Sequence, residues 1–391
     1  MKPGWQNVVL QKVAEIERDI VEPLAIADGT TYVGLENIET GGIFANVRSV
    51  TNGELASTKF AFTDKHVLYG KLRPYLAKIA RPTFNGVCST DILPILPGPE
   101  LDRDYLTYFL RQPSMIDLAT SRSTGANLPR LSPKVLAEFS IPLPPIAEQK
   151  RIAAILDKAE ELRSLRRQAL RELDAIAQST FLEMFGDPAR NPKNYPMTPM
   201  GELFAETPIF GTMVPPVTEP LMWLSLRVAN IQNWQLDLSD RKYVNLPKDV
   251  SDRYTVKEGD LLMARAIASV DHLGKCIVAY PGIENWAFDS HLMRLRFEKN
   301  KAEPEFIRML LMTPGGRKLF LSASRKSTVQ FNINTKEIST LRIPLPPIGL
   351  QQEFARRVES IEQLKATHRE SLARLDALFA SLQHRAFRGE L

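Results

Sequence analysis

Cysteine is nearly absent from these 391 residues. Cys88 and Cys276 stand far apart, with no CxxC pair and no histidine at ligand spacing, so neither a disulfide framework nor a structural zinc site is expected. Long apolar runs are missing too, and none approaches the roughly 18 residues that span a bilayer. The start, MKPGWQNVVLQKVAE, has no apolar signal-peptide core. The expectation is a cytoplasmic protein, with no membrane partner, carrying two free thiols.

Catalytic signatures are equally scarce. There is no GxxxxGK[ST] phosphate loop, no HExxH and no GxSxG elbow. No Asn/Asp-Pro-Pro-aromatic tetrapeptide or glycine-rich loop after a strand suggests S-adenosylmethionine, and no acidic pair before Glu-x-Lys suggests a nuclease metal site. The five histidines are scattered. Asp289-Ser290-His291 is superficially a catalytic group, but neighbours on a strand point to opposite faces and are not expected to act together. The chain reads as one that does no covalent chemistry, with no catalytic residue and no metal site.

What the sequence does contain is repetition. IPLPPIAEQKRI (141–152) is written again as IPLPPIGLQQEF (343–354), 202 residues later. RELDAIAQS (171–179) returns as ARLDALFAS (373–381), DRDYLTYFLRQP (102–113) as AEPEFIRMLLMTP (302–314), and SRST (121–124) as SRKS (324–327). Further forward the match loosens: TTYVGLENIETGG (30–42) pairs only roughly with LMWLSLRVANIQN (221–233). Each half has a variable front, a better-matched rear and a similar tail.

The tails are helical. From Ala147 to Phe185 there is no glycine or proline, and helix formers dominate. Ile155, Ala159, Leu162, Arg166, Ala169, Leu173 and Ile176 follow a 4-3-4-3 spacing, which is heptad character. The second tail places Ile361, Leu364, Leu375, Leu378 and Leu382 on the corresponding row. A helix this amphipathic cannot bury its stripe alone, and the other copy is the obvious partner. One tail leads into the second globular segment and the other leaves it, so a pair must be antiparallel, with the two segments related by a pseudo-twofold axis. IPLPP then forms a stiff collar at each helix start, since proline fixes φ.

The globular segments read as mixed α/β (α+β). HVLYGKL, CIVAY and HLMRLRF alternate like strands, whereas DYLTYFLRQ and PEFIRMLLM look like short helices. The boundaries expected are 1–145 for the first segment, 146–186 for its helix, 187–347 for the second segment and 348–391 for its helix. The formal net charge is only +5, but it is unevenly placed. Lys59, Lys65, Lys71, Arg73, Lys78 and Arg81 face only Asp64 in one strip; Arg317, Lys318, Arg325, Lys326, Lys336 and Arg342 face only Glu337 in another. Such strips suit a polyanion or a solvated face.

Variable segment, collar, long helix, and all three again: in this order the chain resembles the specificity subunit of type I restriction–modification systems. The first collar carries the family's Pro-Pro-x-x-Glu-Gln in Pro144, Pro145, Glu148 and Gln149. The second has Pro346 and Pro347 but Leu350-Gln351 in place of Glu-Gln. Gly4-Trp5, KLRPYL (71–76), FGDP (185–188) and AFRGEL (386–391) add to the likeness. The resemblance implies two target recognition domains, each reading half of a bipartite double-stranded DNA site. It implies a helical pair that sets the spacer and docks two methyltransferase subunits, with motor–nuclease subunits joining the complex. S-adenosylmethionine, ATP and Mg would belong to those partners, and this chain would hold no cofactor.

On that reading, base and phosphate contacts come from Arg, Lys, Asn and Gln on exposed loops. The candidates are Lys71, Arg73, Arg122, Asn127 and Arg130 in the first segment, and Arg265, Arg325, Lys326, Gln330 and Asn332 in the second. KLRPYL reads equally as a fold element in which Arg73 pairs a carboxylate at the core edge. Two other functions compete: a coiled-coil interaction protein without a DNA role, and a divergent DNA-acting enzyme. The duplicated spacer argues against the enzyme, and basic strips outside the helices argue against the pure scaffold.

Overall fold

The computed structural model describes residues 5–267, 269–280, 286–323, 325–326 and 331–391. The chain divides into two compact units, Met1–Arg167 with Glu370–Leu391 and Gln168–Arg369. Each unit therefore combines one globular segment with half of each long helix.

In the first unit the alternating apolar runs form two sheets. Five short strands lie in the order Ile20–Val21, Lys59–Phe62, Gly86–Cys88, Thr30–Val33, Arg48–Val50. Only the Thr30–Val33 and Gly86–Cys88 pair runs parallel. The second sheet has the order Ala14–Ile16, Ile92–Pro97, Val67–Gly70, Ile79–Ala80. Val33, Phe60 and Cys88 from one sheet share a core with Leu68, Ile92 and Leu93 from the other. The helix Arg103–Leu110 begins where the Asp102 carboxylate accepts the backbone N–H groups of Asp104 and Tyr105, a capping role that aspartate suits.

The second unit rebuilds this plan. Ile209–Phe210, Leu292–Leu295, Leu261–Ala264 and Cys276–Val278 form one sheet, and Tyr243–Val244, Trp223–Leu226 and Trp286–Phe288 another. Trp223–Leu226 runs parallel to Trp286–Phe288, as its counterparts do in the first unit. Pro304–Met312 repeats the helix at Arg103–Leu110. Both cysteines are free and buried in strands, and burial pushes the Cys276 thiol up to about 12.

The long helices span Ile146–Phe185 and Ile348–Ala386, 40 and 39 residues, or roughly 60 Å each at 1.5 Å per residue. Within each unit their halves run antiparallel. In the first, Arg151 donates to the Leu391 carbonyl and Arg163 meets Asp376. In the second, Asp174 meets Lys365 and the Phe181 ring lies 5.4 Å from that of Phe354. Each core thus takes the start of one helix and the end of the other. Ile152, Leu156, Ala386 and Phe387 enter the first core; Phe181, Phe185, Phe354 and Val358 enter the second.

Of the expected heptad row Ala159 is buried, but most of the row is not. Ile155, Leu173, Ile361 and Leu375 are half-buried, while Leu162, Ile176, Leu364 and Leu378 are exposed. Complete burial falls instead on Ile152, Leu156, Phe181, Phe354 and Val358. Near a collar the globular core takes in the helix face, whereas the mid-helix seam is largely polar, with Lys365 and Asp174 paired in it.

Each collar starts as a strand. Ser140–Leu143 pairs antiparallel with Gln6–Val9, and Arg342–Pro344 pairs with Met197–Pro199. The glutamine after each Pro-Pro is then fully buried. Gln149 accepts from Asp102 N at 2.8 Å and donates to the carbonyls of Glu100 and Pro144, both at 2.8 Å. Gln351 accepts from Glu303 N at 3.0 Å and donates to Lys301 and Pro346. A primary amide suits this task because it carries an acceptor and two donors. Pro144 and Pro346 are buried, Pro145 and Pro347 exposed. Glu148 binds Arg151 at 2.7 Å on the helix surface, and Leu350 stands exposed in its place in the second collar.

Candidate nucleic-acid interface

The basic strips do not survive intact as surfaces. Lys59 is buried with its ammonium on the Ser57 carbonyl, Lys78 donates to Leu35, and Arg81 pairs Asp157 and Asp104. Arg317 donates to the Val270 and Leu273 carbonyls, and Arg342 to Met197. All of these but Arg81, which joins two carboxylates, fasten main chain. The loops beside them are what present polar groups outward.

In the first unit two loops are laced together by backbone. Arg73 N donates to Pro129 O at 2.7 Å, Leu131 N to Lys71 O at 2.9 Å, and Leu72 bridges Arg130. Thr124 and Arg130 exchange both of their backbone hydrogen bonds. Asp91 brings Lys71 and Arg130 together, while Arg73 and Asn127 are exposed in the same two loops and Arg122 stands at the head of the second, its guanidinium 6.0 Å over the Phe139 ring. Arg73 is exposed at φ 51° and has no carboxylate partner among the described residues. The carboxylate at this spot, Asp91, meets Arg130 at 3.1 Å and lies 4.0 Å from Lys71. Its hydrogen bond holds the Arg130 guanidinium above the usual arginine range.

The second unit repeats the lacing. Arg265 N donates to His291 O as Lys71 N does to Asp91 O, and Ile333 N donates to Arg265 O as Leu131 N does to Lys71 O. Ala266 pairs with Asn332 and Arg325 with Asn332, in the places of the Leu72–Arg130 and Thr124–Arg130 bridges. Arg265 therefore stands where Lys71 does, and exposed Asn332 where Arg130 does. The Arg265 guanidinium donates to Ser290 O at 2.8 Å and covers the Phe210 ring at 3.9 Å. Burial, opposed by Asp289, lowers its pKa. For Arg325 and Lys326 only backbone is described, and Gln330, like Gly4, lies outside the described residues.

Sequence reasoning missed the turn between these loops. Ser89-Thr90-Asp91 and Asp289-Ser290-His291 are the same turn: Ile92 N donates to Ser89 O, and Leu292 N to Asp289 O. Ser89 N donates to Val33 O, and Asp289 N to Leu226 O. The Ser89 hydroxyl accepts Asp91 N, and the Asp289 carboxylate accepts His291 N. Asp289 and His291 approach at 3.5 Å in this turn, and being two positions apart they escape the opposite-faces argument, which holds only for adjacent strand residues. Burial raises the Asp289 carboxyl above its usual range. The available signal was the weak repeat CSTDIL/FDSHLM at an offset of 200. Among the described residues no helix is long and apolar enough to cross a membrane, and no group of His, Cys, Asp and Glu is placed to hold a metal.

A family model described as type I restriction modification DNA specificity domain matches residues 3–175 and 225–377. The type I restriction enzyme EcoKI specificity subunit of Escherichia coli K12 is 25% identical over 309 residues, covering 73% of this chain and 65% of that subunit. The StySPI specificity subunit of Salmonella potsdam is 25% identical over 310 residues, covering 75% and 67%. The matches thus span about two thirds of these relatives' length. The solved S subunit of a type I restriction-modification system from M. genitalium shares the fold at TM-score 0.59 and 14% identity, over 98% of this chain and 96% of that one. A chain solved in a study of complex assembly and conformational transition of the type I R-M system gives 0.56 at 22% identity, over 100% and 99%. With both repeats matched, the chain belongs to the type I restriction modification DNA specificity domain family.

Proposed function

We propose that this chain is a DNA-sequence specificity subunit of a type I restriction–modification complex. Each unit reads one half of a bipartite duplex site through the laced loops described above. The observation that carries this reading is the repeated face: the same backbone lacing presents Lys71, Asp91 and Arg130 once, and Arg265, His291 and Asn332 again. Two equivalent faces suit the twofold relation of DNA strands, as in dimeric repressors. The paired helices set the length of unread spacer, and exposed Leu162, Ile176, Leu364 and Leu378 suit docking by two methyltransferase subunits. The proposal places catalysis in those partners, with S-adenosylmethionine there and ATP and Mg with motor–nuclease subunits, all in the cytoplasm.

Methylome sequencing of cells expressing this chain with its cognate methyltransferase subunits tests the proposal. The expected result is adenine methylation in a site of two short specific parts separated by a fixed unread spacer. Methylation at one uninterrupted short site, or turnover of DNA by the purified chain alone, contradicts it.

A further inference from the structure

The two laced faces are equivalent in backbone but not in chemistry. Position by position, Lys71 corresponds to Arg265, Asp91 to His291 and Arg130 to Asn332, each placed by the same backbone hydrogen bonds. A carboxylate on a face meant for DNA is unfavourable toward phosphate, so Asp91 needs another reason to be there. Its geometry supplies one. Asp91 Oδ1 takes Arg130 Nε at 3.1 Å and Oδ2 takes Nη2 at 3.4 Å, which fixes the plane of the guanidinium. The remaining N–H groups of Arg130 are left directed away from the carboxylate. A planar, fixed fork of donors matches the O6 and N7 acceptors of guanine in the major groove. In the second unit the corresponding position is Asn332, whose amide offers the donor and acceptor that match adenine N7 and N6.

We propose that Arg130 reads a guanine in one half-site with Asp91 as its positioning residue, and that Asn332 reads an adenine at the equivalent place in the other. This inference rests on the DNA-reading function proposed above. It adds residues and bases to it. His291, in the place of Asp91, leaves the second face without the fixed carboxylate, so the two half-sites differ at this point by construction.

The test is selection from a random-sequence duplex library by the full chain assembled with its methyltransferase subunits, followed by sequencing. Arg130→Lys keeps the charge and is expected to retain binding while the guanine preference at one position falls tenfold or more. Asp91→Asn is expected to relax the same position by a smaller factor, leaving the other half-site and the spacer untouched. Asn332→Arg is expected to exchange adenine for guanine in the other half-site only. Thermal melts of all variants exclude misfolding as the cause. A wild-type site that stays unchanged in every variant overturns the inference alone. Failure of the wild type to enrich any bipartite site overturns the DNA-reading function, and the inference with it.

Discussion

Lys365 sets its ammonium 2.6 Å from the carboxylate of Asp174, and 202 residues earlier Arg163 makes the same contact with Asp376 at 2.7 Å. Each cation is also held by an acid one turn back on its own helix, Glu362 or Glu160. Lys365 is almost fully buried, in a position where an apolar seam residue would otherwise sit. Asp174→Ala leaves that ammonium with Glu362 alone, and is expected to destabilise the second unit by about 2 kcal/mol. Lys365→Met is expected to be neutral within about 1 kcal/mol, because an apolar residue of similar volume removes the charge as well. Urea unfolding of the two variants checks the asymmetry.

The collar glutamines form a second matched pair. Gln149→Ala strands a backbone N–H and two carbonyls in the first unit, and Gln351→Ala does the same in the second. Each is expected to lower the stability of its own unit by about 3 kcal/mol. Glu148→Ala, which removes the surface ion pair with Arg151, is expected to cost less than about 1 kcal/mol. Differential scanning calorimetry distinguishes the three.

Phe387 packs on Tyr105 at 5.0 Å and Phe109 at 5.7 Å, so the last turn of the C-terminal helix completes the first unit's core. Phe387→Ala is expected to cost about 3 kcal/mol there. Hydrogen exchange should show lost protection across Arg103–Leu110 with Pro304–Met312 unchanged.

Asp289 gives a pH signature. Burial raises its folded pKa above the ordinary 3.8, so the folded form binds a proton where the unfolded form has already lost it. Stability from this group therefore rises as pH falls from the raised value toward 3.8, and the group is a net burden at neutral pH. Asp289→Asn keeps the acceptor for His291 N–H and is expected to abolish that acid-side rise. Urea midpoints at pH 7 and pH 4.5 measure it.

The helix register makes the spacer prediction specific. Arg163 and Asp174 are separated by the same length of helix as Lys365 and Asp376. Seven residues inserted near Ala169 alone put the two partners out of step and are expected to disrupt one unit. Matching insertions near Ala169 and Ser371 keep both pairs, and are expected to lengthen the unread spacer by about three base pairs, from roughly 10 Å of added helix. Methylome sequencing reads the change, and both half-sites should persist.

The repeat, the two long helices, their antiparallel sense and the mixed α/β class were all legible in the sequence. A 202-residue offset and helical periodicity are local patterns, and chain connectivity alone decides the direction of the pair. The burial row was not legible. Leu162 and Leu364 fit the heptad as well as any residue yet are exposed, and the fully buried apolar positions are those the two globular cores take in. Gln149 was visible as a motif residue, whereas two of its three hydrogen bonds reach Glu100 and Asp102, 49 and 47 positions away. The structure likewise places Asp289-Ser290-His291 as a repeat of Ser89-Thr90-Asp91, which the sequence signalled only through the weak CSTDIL/FDSHLM match. Sequence periodicity reports which face of an element is apolar. Which charge stands beside which, as Asp91 does beside Arg130, depends on distances that arise only once distant loops are laced together.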